Sequence, residues 1–324
     1  MMDEERAVLS RPILVYLAVV ALVDIVVSVP RFGYVYPDSL YYFDSVDFFR
    51  GILAGTELTA PFCYRPALPA LAAILPIDPV LTFSIVNLAF VILLSWVILL
   101  LAMEFGLSDF SAFLASLVCS ASLANLFYGS VVLVDPGALF FLALAYHQMM
   151  KNGDDKLIAV LFALGVLYKE VALVGVLAFL IHRRLRGWYW MILPIAVYGA
   201  LRLLIPSGNP GFLWTFHLDN LTSVAPATVR TFAFGLGPHV LLFLIGLLMG
   251  KGEFQSKARK WLVSLGIPGI GYMILGLFFA HFDVRFLWPL QLSMVPLIGI
   301  GATAVIELLR RYIPLKAPRE EAPP

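Results

Sequence analysis

An all-α, polytopic transmembrane helical bundle is the fold class this chain predicts, and three observations predict it. The chain is 61% hydrophobic and only 13% charged, with a mean hydropathy of +0.92. Its apolar runs follow one another with short interruptions, and many approach the roughly 20 residues a helix needs to cross about 30 Å of hydrocarbon. Its lysines and arginines are concentrated in a few of those interruptions. A single transmembrane domain spans residues 1–324, with a first outer loop at 31–78 and a short cytoplasmic tail at 310–324. The net charge of +1 and the absence of a basic arm speak against a nucleic-acid partner.

The first segment covers residues 12–30. Its flank, MMDEER, is acidic and mixed, which predicts an uncleaved helix rather than a signal peptide. Segments at 79–103, 111–126 and 131–150 follow, then a split segment at 157–168 and 171–182. The last four are 188–205, 231–249, 261–280 and 286–309. Basic residues cluster at Lys151 and Lys156, at Arg183, Arg184 and Arg186, at Lys251, Lys257, Arg259 and Lys260, and at Arg310, Arg311, Lys316 and Arg319. With Arg6 and Arg11 these are fifteen of the 22 basic residues. All of them share the cytoplasmic side only if residues 157–182 cross twice or not at all. Two short half-helices meeting at Lys169-Glu170 satisfy that rule and bring the count to about ten membrane segments. The alternative is one helix carrying an intramembrane Lys-Glu pair.

On this map the outer side carries Arg31, Arg50, Arg65, Lys169, Arg202, Arg230 and Arg285, together with Asp38, Asp44, Asp47, Glu57, Asp78, Asp135, Glu170, Asp219 and Asp283. From Ser39 to Leu53 an apolar face of Tyr41, Tyr42, Val46, Phe48, Phe49, Ile52 and Leu53 opposes Asp44, Asp47, Arg50 and Gly51. This is the pattern of an amphipathic helix lying in the interface, with Ser39 or Asp38 as N-cap. In the plainest account Asp38 only caps and Asp47 only pairs with Arg50. Arg65 follows, between Tyr64 and Pro66, and suits a phosphate or carboxylate as well as it suits an interfacial anchor. Asp135-Pro136 opens a helix, and capping alone explains it. Arg285 stands in the turn His281–Arg285 as an anchor or anion ligand, and the loop 206–230 carries His217, Asp219, Arg230 and an Asn220-Leu221-Thr222 sequon. His239 reads as a helix residue. Cys63 and Cys119 sit in different contexts, which speaks against a disulfide, and no metal-ligand spacing appears. The residues demand no cofactor, and a divalent metal is left open.

In this order the motifs are familiar. Pro37-Asp38-Ser39-Leu40-Tyr41-Tyr42, Tyr64-Arg65-Pro66 with Leu68-Pro69, Val134-Asp135-Pro136, Lys169-Glu170 and Arg285-Phe286 with Pro289 give a chain that resembles the GT-C superfamily of integral-membrane glycosyltransferases. These enzymes use polyprenyl-phosphate-linked sugars such as dolichol phosphate mannose. The resemblance implies a catalytic Asp in the first outer loop, and Asp38 stands where that family places it. Members often carry two adjacent acids there. This chain has Ser39 after Asp38, so Asp44 or Asp47 are reserves for the base. Many members also have a large soluble C-terminal domain. The tail after Arg311 is short and Pro-rich, so acceptor recognition falls to membrane loops.

The implied activity is transfer of a mannose-like hexose from a polyprenyl-phosphate donor to a hydroxyl of a lipid, glycan or protein acceptor, with inversion. Phosphate is a good leaving group, so the step needs one carboxylate base and cations for the departing phosphate. Arg65, Lys169 and Arg285 are the phosphate candidates, with Arg202 behind them and Tyr64, Asp135 and Glu170 in support. The short loops and lack of an evident retention signal predict a prokaryotic plasma membrane with the site facing outward. A transporter or flippase of lipid-linked substrates is the rival, using Asp24 and Lys169-Glu170 as coupling charges. A non-catalytic membrane subunit is the third possibility.

Overall fold

The computed structural model describes residues 11–209, 225–250, 253–279 and 284–312. Among the described residues the regular structure is helical, and the sole β-type pairing is one isolated bridge between Thr59 and Asn209. Helix α1 (Arg11–Ser28) is apolar around its whole circumference. Leu14, Val15, Leu22 and Val26 are exposed, while Asp24 turns inward and is completely buried. Pro30 ends this run in a single 3-10 turn.

Helix α2 (Pro37–Phe49) starts on a proline whose φ is already helical. The expected N-cap, Ser39 or Asp38, is corrected by the geometry. Tyr36 occupies the cap position, and the Ser39 hydroxyl accepts from the Tyr36 N–H at 2.9 Å. The buried face of α2 is Ser39, Tyr42, Ser45 and Val46. Leu40, Phe49 and the following Ile52 remain exposed, so the helix buries a narrower stripe than its apolar content suggests.

Helix α3 (Ala67–Ile74) is short. Helix α4 (Pro79–Glu104) is capped by Asp78, which accepts from the Leu81 N–H at 3.2 Å. Its 26 residues rise about 39 Å. The expected segment 111–126 is two helices, α5 (Asp109–Ser120) and α6 (Leu123–Tyr128), broken at Ala121 and re-capped by Ser122. Residues 129–134 are buried but irregular. Non-helical backbone at such a depth needs donors, and side chains supply them. The Asn87 Nδ2 donates to the carbonyls of Val131 at 2.7 Å and Leu133 at 2.8 Å. The Ser39 hydroxyl donates to the Val132 carbonyl at 2.7 Å.

Helix α7 (Asp135–Met150) leads into α8 (Asp155–Tyr168), and the chain then breaks. Lys169 is extended, a 3-10 turn covers Glu170–Leu173, and α9 (Val174–His182) runs back. Arg183 meets Asp155 at 3.2 Å and donates to the Gly153 carbonyl at 3.0 Å. Both ends of this segment therefore lie together, and residues 155–182 form a hairpin of two half-helices with Lys169-Glu170 at the tip. A Cβ at Gly175 would collide with the Phe162 ring, so the arms touch at a distance only glycine permits.

Helix α10 (Ile192–Leu204) packs on α8 and leaves most of its apolar side chains exposed. Helix α11 (Ala225–Met249), the amphipathic α12 (Glu253–Trp261), a π-helical turn at Leu262–Gly266 and α13 (Ile267–Phe279) follow. Helix α14 (Trp288–Tyr312) packs along α11 and closes the bundle. The core is filled by Tyr42, Phe83, Phe105, Tyr146, Phe162, Phe179 and Trp261.

Among the described residues three helices are long and apolar enough to cross a membrane, by length and composition: Pro12–Arg31, Pro79–Glu104 and Arg285–Tyr312. Among the described residues, Asp109–Ser120, Glu170–His182, Trp188–Leu204 and Gly235–Met249 form shorter apolar helical stretches. The basic turns share one end of the bundle. Lys151 meets Glu104 at 3.4 Å, Phe105 packs edge-on to Trp261 at 4.9 Å, and Arg310 lies over Phe110. The mixed charges of the first loop lie at the other end.

Candidate active site

Five local features bring charged side chains into one cluster. Asp38 stands in the first turn of α2, which Ser39 staples to the buried segment 129–134. Arg65 caps the 3-10 turn Phe62–Tyr64, and Pro66 stops that turn from continuing. Asp135 is the first residue of α7, aimed by the carbonyls that Asn87 anchors. Lys169 and Glu170 form the hairpin tip, where extended backbone sends neighbouring side chains to opposite sides. Arg285 belongs to the 3-10 turn Val284–Leu287 ahead of α14.

The cations and acids pair off. Lys169 Nζ donates to Asp135 Oδ1 at 2.6 Å, with side chains only 10% and 5% exposed. Arg65 grips Glu170 with a fork, Nε to Oε2 at 2.9 Å and Nη2 to Oε1 at 2.6 Å. A third bond runs from Arg65 Nη1 to the Tyr42 hydroxyl at 2.7 Å. Arg285 Nη1 donates to Asp38 Oδ2 at 3.2 Å, with side chains 20% and 29% exposed, and its guanidinium lies 5.1 Å over the Tyr128 ring. The pairs form one cluster. Asp135 lies in the field of Lys169, Arg285 and Arg65, and Tyr42 in that of Arg65, Asp135 and Asp38.

Their strengths differ. Removing one partner of a buried pair leaves an uncompensated charge and costs about 3–5 kcal/mol. A longer, partly hydrated pair is worth roughly 0–1 kcal/mol. Lys169–Asp135 and Arg65–Glu170 are of the first kind, and Asp38–Arg285 is of the second. Of the three pairs, Asp38–Arg285 is the one a polar ligand would separate at least cost. Such a ligand then faces a carboxylate able to take a proton beside a guanidinium able to hold an anion. The two buried pairs keep the rest of the cluster neutral and rigid.

The remaining expectations fall differently. Lys169 and Glu170 do not pair with each other but with Asp135 and Arg65. Asp135 does more than open a helix, because its carboxylate is committed to Lys169. The aromatic beneath Arg65 is Phe62, at 5.3 Å, rather than Tyr64. Tyr64 instead supports Arg202, whose guanidinium lies 4.5 Å from its ring and 5.0 Å from that of Tyr198. Arg202 also donates to the Tyr198 hydroxyl at 2.6 Å and is exposed. Asp44 and Asp47 are half-buried on α2, and neither pairs with a basic side chain among the described residues. Arg50 donates to the Ala72 carbonyl at 3.3 Å rather than to Asp47. Desolvation, and then its neighbours Asp47 and Glu57, hold the Asp44 carboxyl above its ordinary pKa. Cys63 and Cys119 are free thiols. His217, Asp219, the Asn220–Thr222 sequon, His281, Asp283, Lys316, Arg319, Arg6 and the side chain of Arg230 lie outside the described residues.

Two participants escape sequence reasoning. Tyr42 reads as part of an apolar face, yet its hydroxyl holds Arg65. Tyr272, inside the apolar α13, lies in the field of Glu170, Asp135, Arg65 and Arg285. A hydroxyl-bearing aromatic in an apolar stripe was the available signal for both. Among the described residues no three His, Cys, Asp or Glu side chains are grouped so as to hold a metal ion. No family model and no curated protein matches this chain.

Proposed function

We propose that this protein is a multi-pass membrane glycosyltransferase of about ten segments. It moves a mannose-like hexose from a polyprenyl-phosphate donor to an acceptor hydroxyl on the outer face of a prokaryotic plasma membrane. The single observation that carries this reading is the longer, partly exposed Asp38–Arg285 pair at 3.2 Å, set beside two tight buried pairs. Asp38 takes the proton of the acceptor hydroxyl as its oxygen attacks the anomeric carbon. The bond from that carbon to the phosphate oxygen breaks, and the polyprenyl phosphate leaves with the electron pair. Arg285, released from Asp38, holds the departing phosphate. Attack opposite the leaving group inverts the anomeric centre. Lys169 and Arg65 brace the site rather than hold the phosphate, because each is already bonded to a carboxylate.

The test is Asp38→Asn, assayed with a radiolabelled polyprenyl-phosphate sugar and crude lipid or glycan acceptors. Loss of a general base lowers transfer about 10²–10⁴-fold, while thermal unfolding stays within ~1 kcal/mol of wild type because the pair is weak. Full activity in this variant removes Asp38 from the role.

One observation favours the transporter or flippase reading. Asp24 is completely buried, accepts from the Ser95 hydroxyl at 3.2 Å and has no basic partner among the described residues, as an intramembrane coupling charge would. Proteoliposomes separate the two. A flippase moves labelled lipid-linked sugar across the bilayer in the Asp38→Asn protein and stops in Asp24→Asn, with no acceptor required.

A further inference from the structure

At the end of the bundle opposite the charged cluster, Arg184, Arg259 and Lys260 line a cleft of about 320 Å³ together with Ser256 and Ser264. Ligand sites occupy roughly 300–1,000 Å³, so the volume is adequate. No carboxylate lines the cleft, and none forms an ion pair with these three cations among the described residues. Asp155 is already ion-paired with Arg183 at 3.2 Å. Arg184 and Leu185 both adopt left-handed backbone, at φ 52° and 64°, a conformation L residues rarely take. The tight turn they make carries Arg184 to the mouth of the cleft.

Its surroundings are apolar. Ile181 and Val263, both partly exposed, form the rim on one side. On the other side Ser256 and Arg259 are shared with a larger cleft of about 550 Å³, walled by Leu247, Phe254, Leu262 and Leu297. Trp188 and Tyr189 lie exposed just beyond the turn, the residue types that settle at the headgroup level of a bilayer. Three cations without a carboxylate partner among the described residues, and the Ser256 hydroxyl, beside an apolar trough match an anionic phospholipid, with phosphate in the basic cleft and an acyl chain in the trough; Ser264 already donates its proton to the Lys260 carbonyl at 2.8 Å.

We propose that this cleft is a binding site for the phosphate headgroup of an anionic membrane lipid. Cations near a membrane surface each strengthen such binding about fivefold. Charge used only for topology would leave them dispersed in water rather than converged on one cavity. The site lies at the far end of the molecule from the cluster proposed for sugar transfer and does not depend on that assignment.

The experiment uses the full chain in nanodiscs of phosphatidylcholine with a minor fraction of phosphatidylglycerol, and native mass spectrometry of the lipid that stays bound. Wild type retains phosphatidylglycerol, and R184Q/R259Q/K260Q holds it roughly a hundredfold more weakly, at about fivefold per cation. Arg259→Gln and Lys260→Gln, at exposed positions of α12, each weaken it about fivefold and serve where the triple variant does not fold. Millimolar inorganic phosphate leaves the retained lipid in place. Equal retention by variant and wild type, equal retention of phosphatidylcholine, or displacement by inorganic phosphate each overturns the proposal.

Discussion

Lys169 and Asp135 meet at 2.6 Å in nearly complete burial, and each keeps the other charged in a place where neither would be stable alone. Lys169→Met should therefore lower unfolding free energy by about 3–5 kcal/mol, because Asp135 is left buried and unpaired. Adding Asp135→Leu should recover most of that loss, since a well-packed apolar pair is often as stable as a buried ion pair. Denaturant titration of the three proteins in one detergent checks both outcomes, and a single variant as stable as wild type contradicts the geometry. Asp44 poses the opposite case. Its folded-state pKa is raised, so the folded chain holds this proton more readily than the unfolded chain. Its contribution favours folding below the carboxylate range and turns unfavourable as pH rises through it. Asp44→Asn is then expected to stabilise at pH 7 by no more than ~0.5 kcal/mol, the scale for a partly exposed charge. The gain should vanish near pH ~3, where the aspartate is itself protonated. Melting curves at the two pH values read it directly, and an equal gain at both would assign the effect to packing.

Two elements decide how the charged cluster is assembled. The hairpin 155–182 is legible before any coordinates, because the basic residues on both flanks must share one side. Its tip is a break in the helix at Lys169, and arms of 14 and 9 helical residues rise only about 21 and 14 Å. The buried segment 129–134 is not legible in the same way. Its Val-Val-Leu-Val run has no period that separates strand, helix or irregular chain, and it reads as the start of a helix at 131. Its real conformation depends on Asn87, more than 40 residues earlier. Asn87→Leu strips donors from the carbonyls of Val131 and Leu133, at about 1–3 kcal/mol for each orphaned group. The expected result is a destabilised chain whose 129–134 amides exchange hydrogen faster than in wild type, with Asp135 displaced and the proposed sugar transfer reduced along with it. Unchanged exchange there would mean that Asn87 does not hold the segment.

Across the whole molecule, mixed charge occupies one end of the bundle and basic turns the other. Among the described residues three helices have the length and composition to span a bilayer, and exposed apolar surface runs over α1, α4, α10 and α11. A positive-inside orientation puts the Asp38 end outside. Single cysteines test this against a background in which Cys63 and Cys119 are buried. Ile52→Cys, at a 71% exposed position, should react with a membrane-impermeant maleimide on intact cells. Leu185→Cys, at a 65% exposed position in the basic turn, should react only after permeabilisation. The reverse pattern would turn the protein over and put the charged cluster in the cytosol.

Sequence alone was enough to determine that the chain is helical and apolar, that a break falls at Lys169-Glu170, and which charged residues stand at the ends of apolar runs. These follow from hydropathy and charge placement, which are local properties. Only the tertiary structure decided who pairs with whom. Asp135 and Lys169 are 34 residues apart, Arg65 and Glu170 are 105, and Asp38 and Arg285 are 247. The strength of an ion pair depends on separation and burial, and both are set by neighbours that the chain brings together only when it folds. That is why the adjacent Lys169 and Glu170 look like partners in the sequence, yet extended backbone at the tip turns them to different ones. It is also why three similar acid–base pairs divide into two that are short and buried and one that is longer and more exposed.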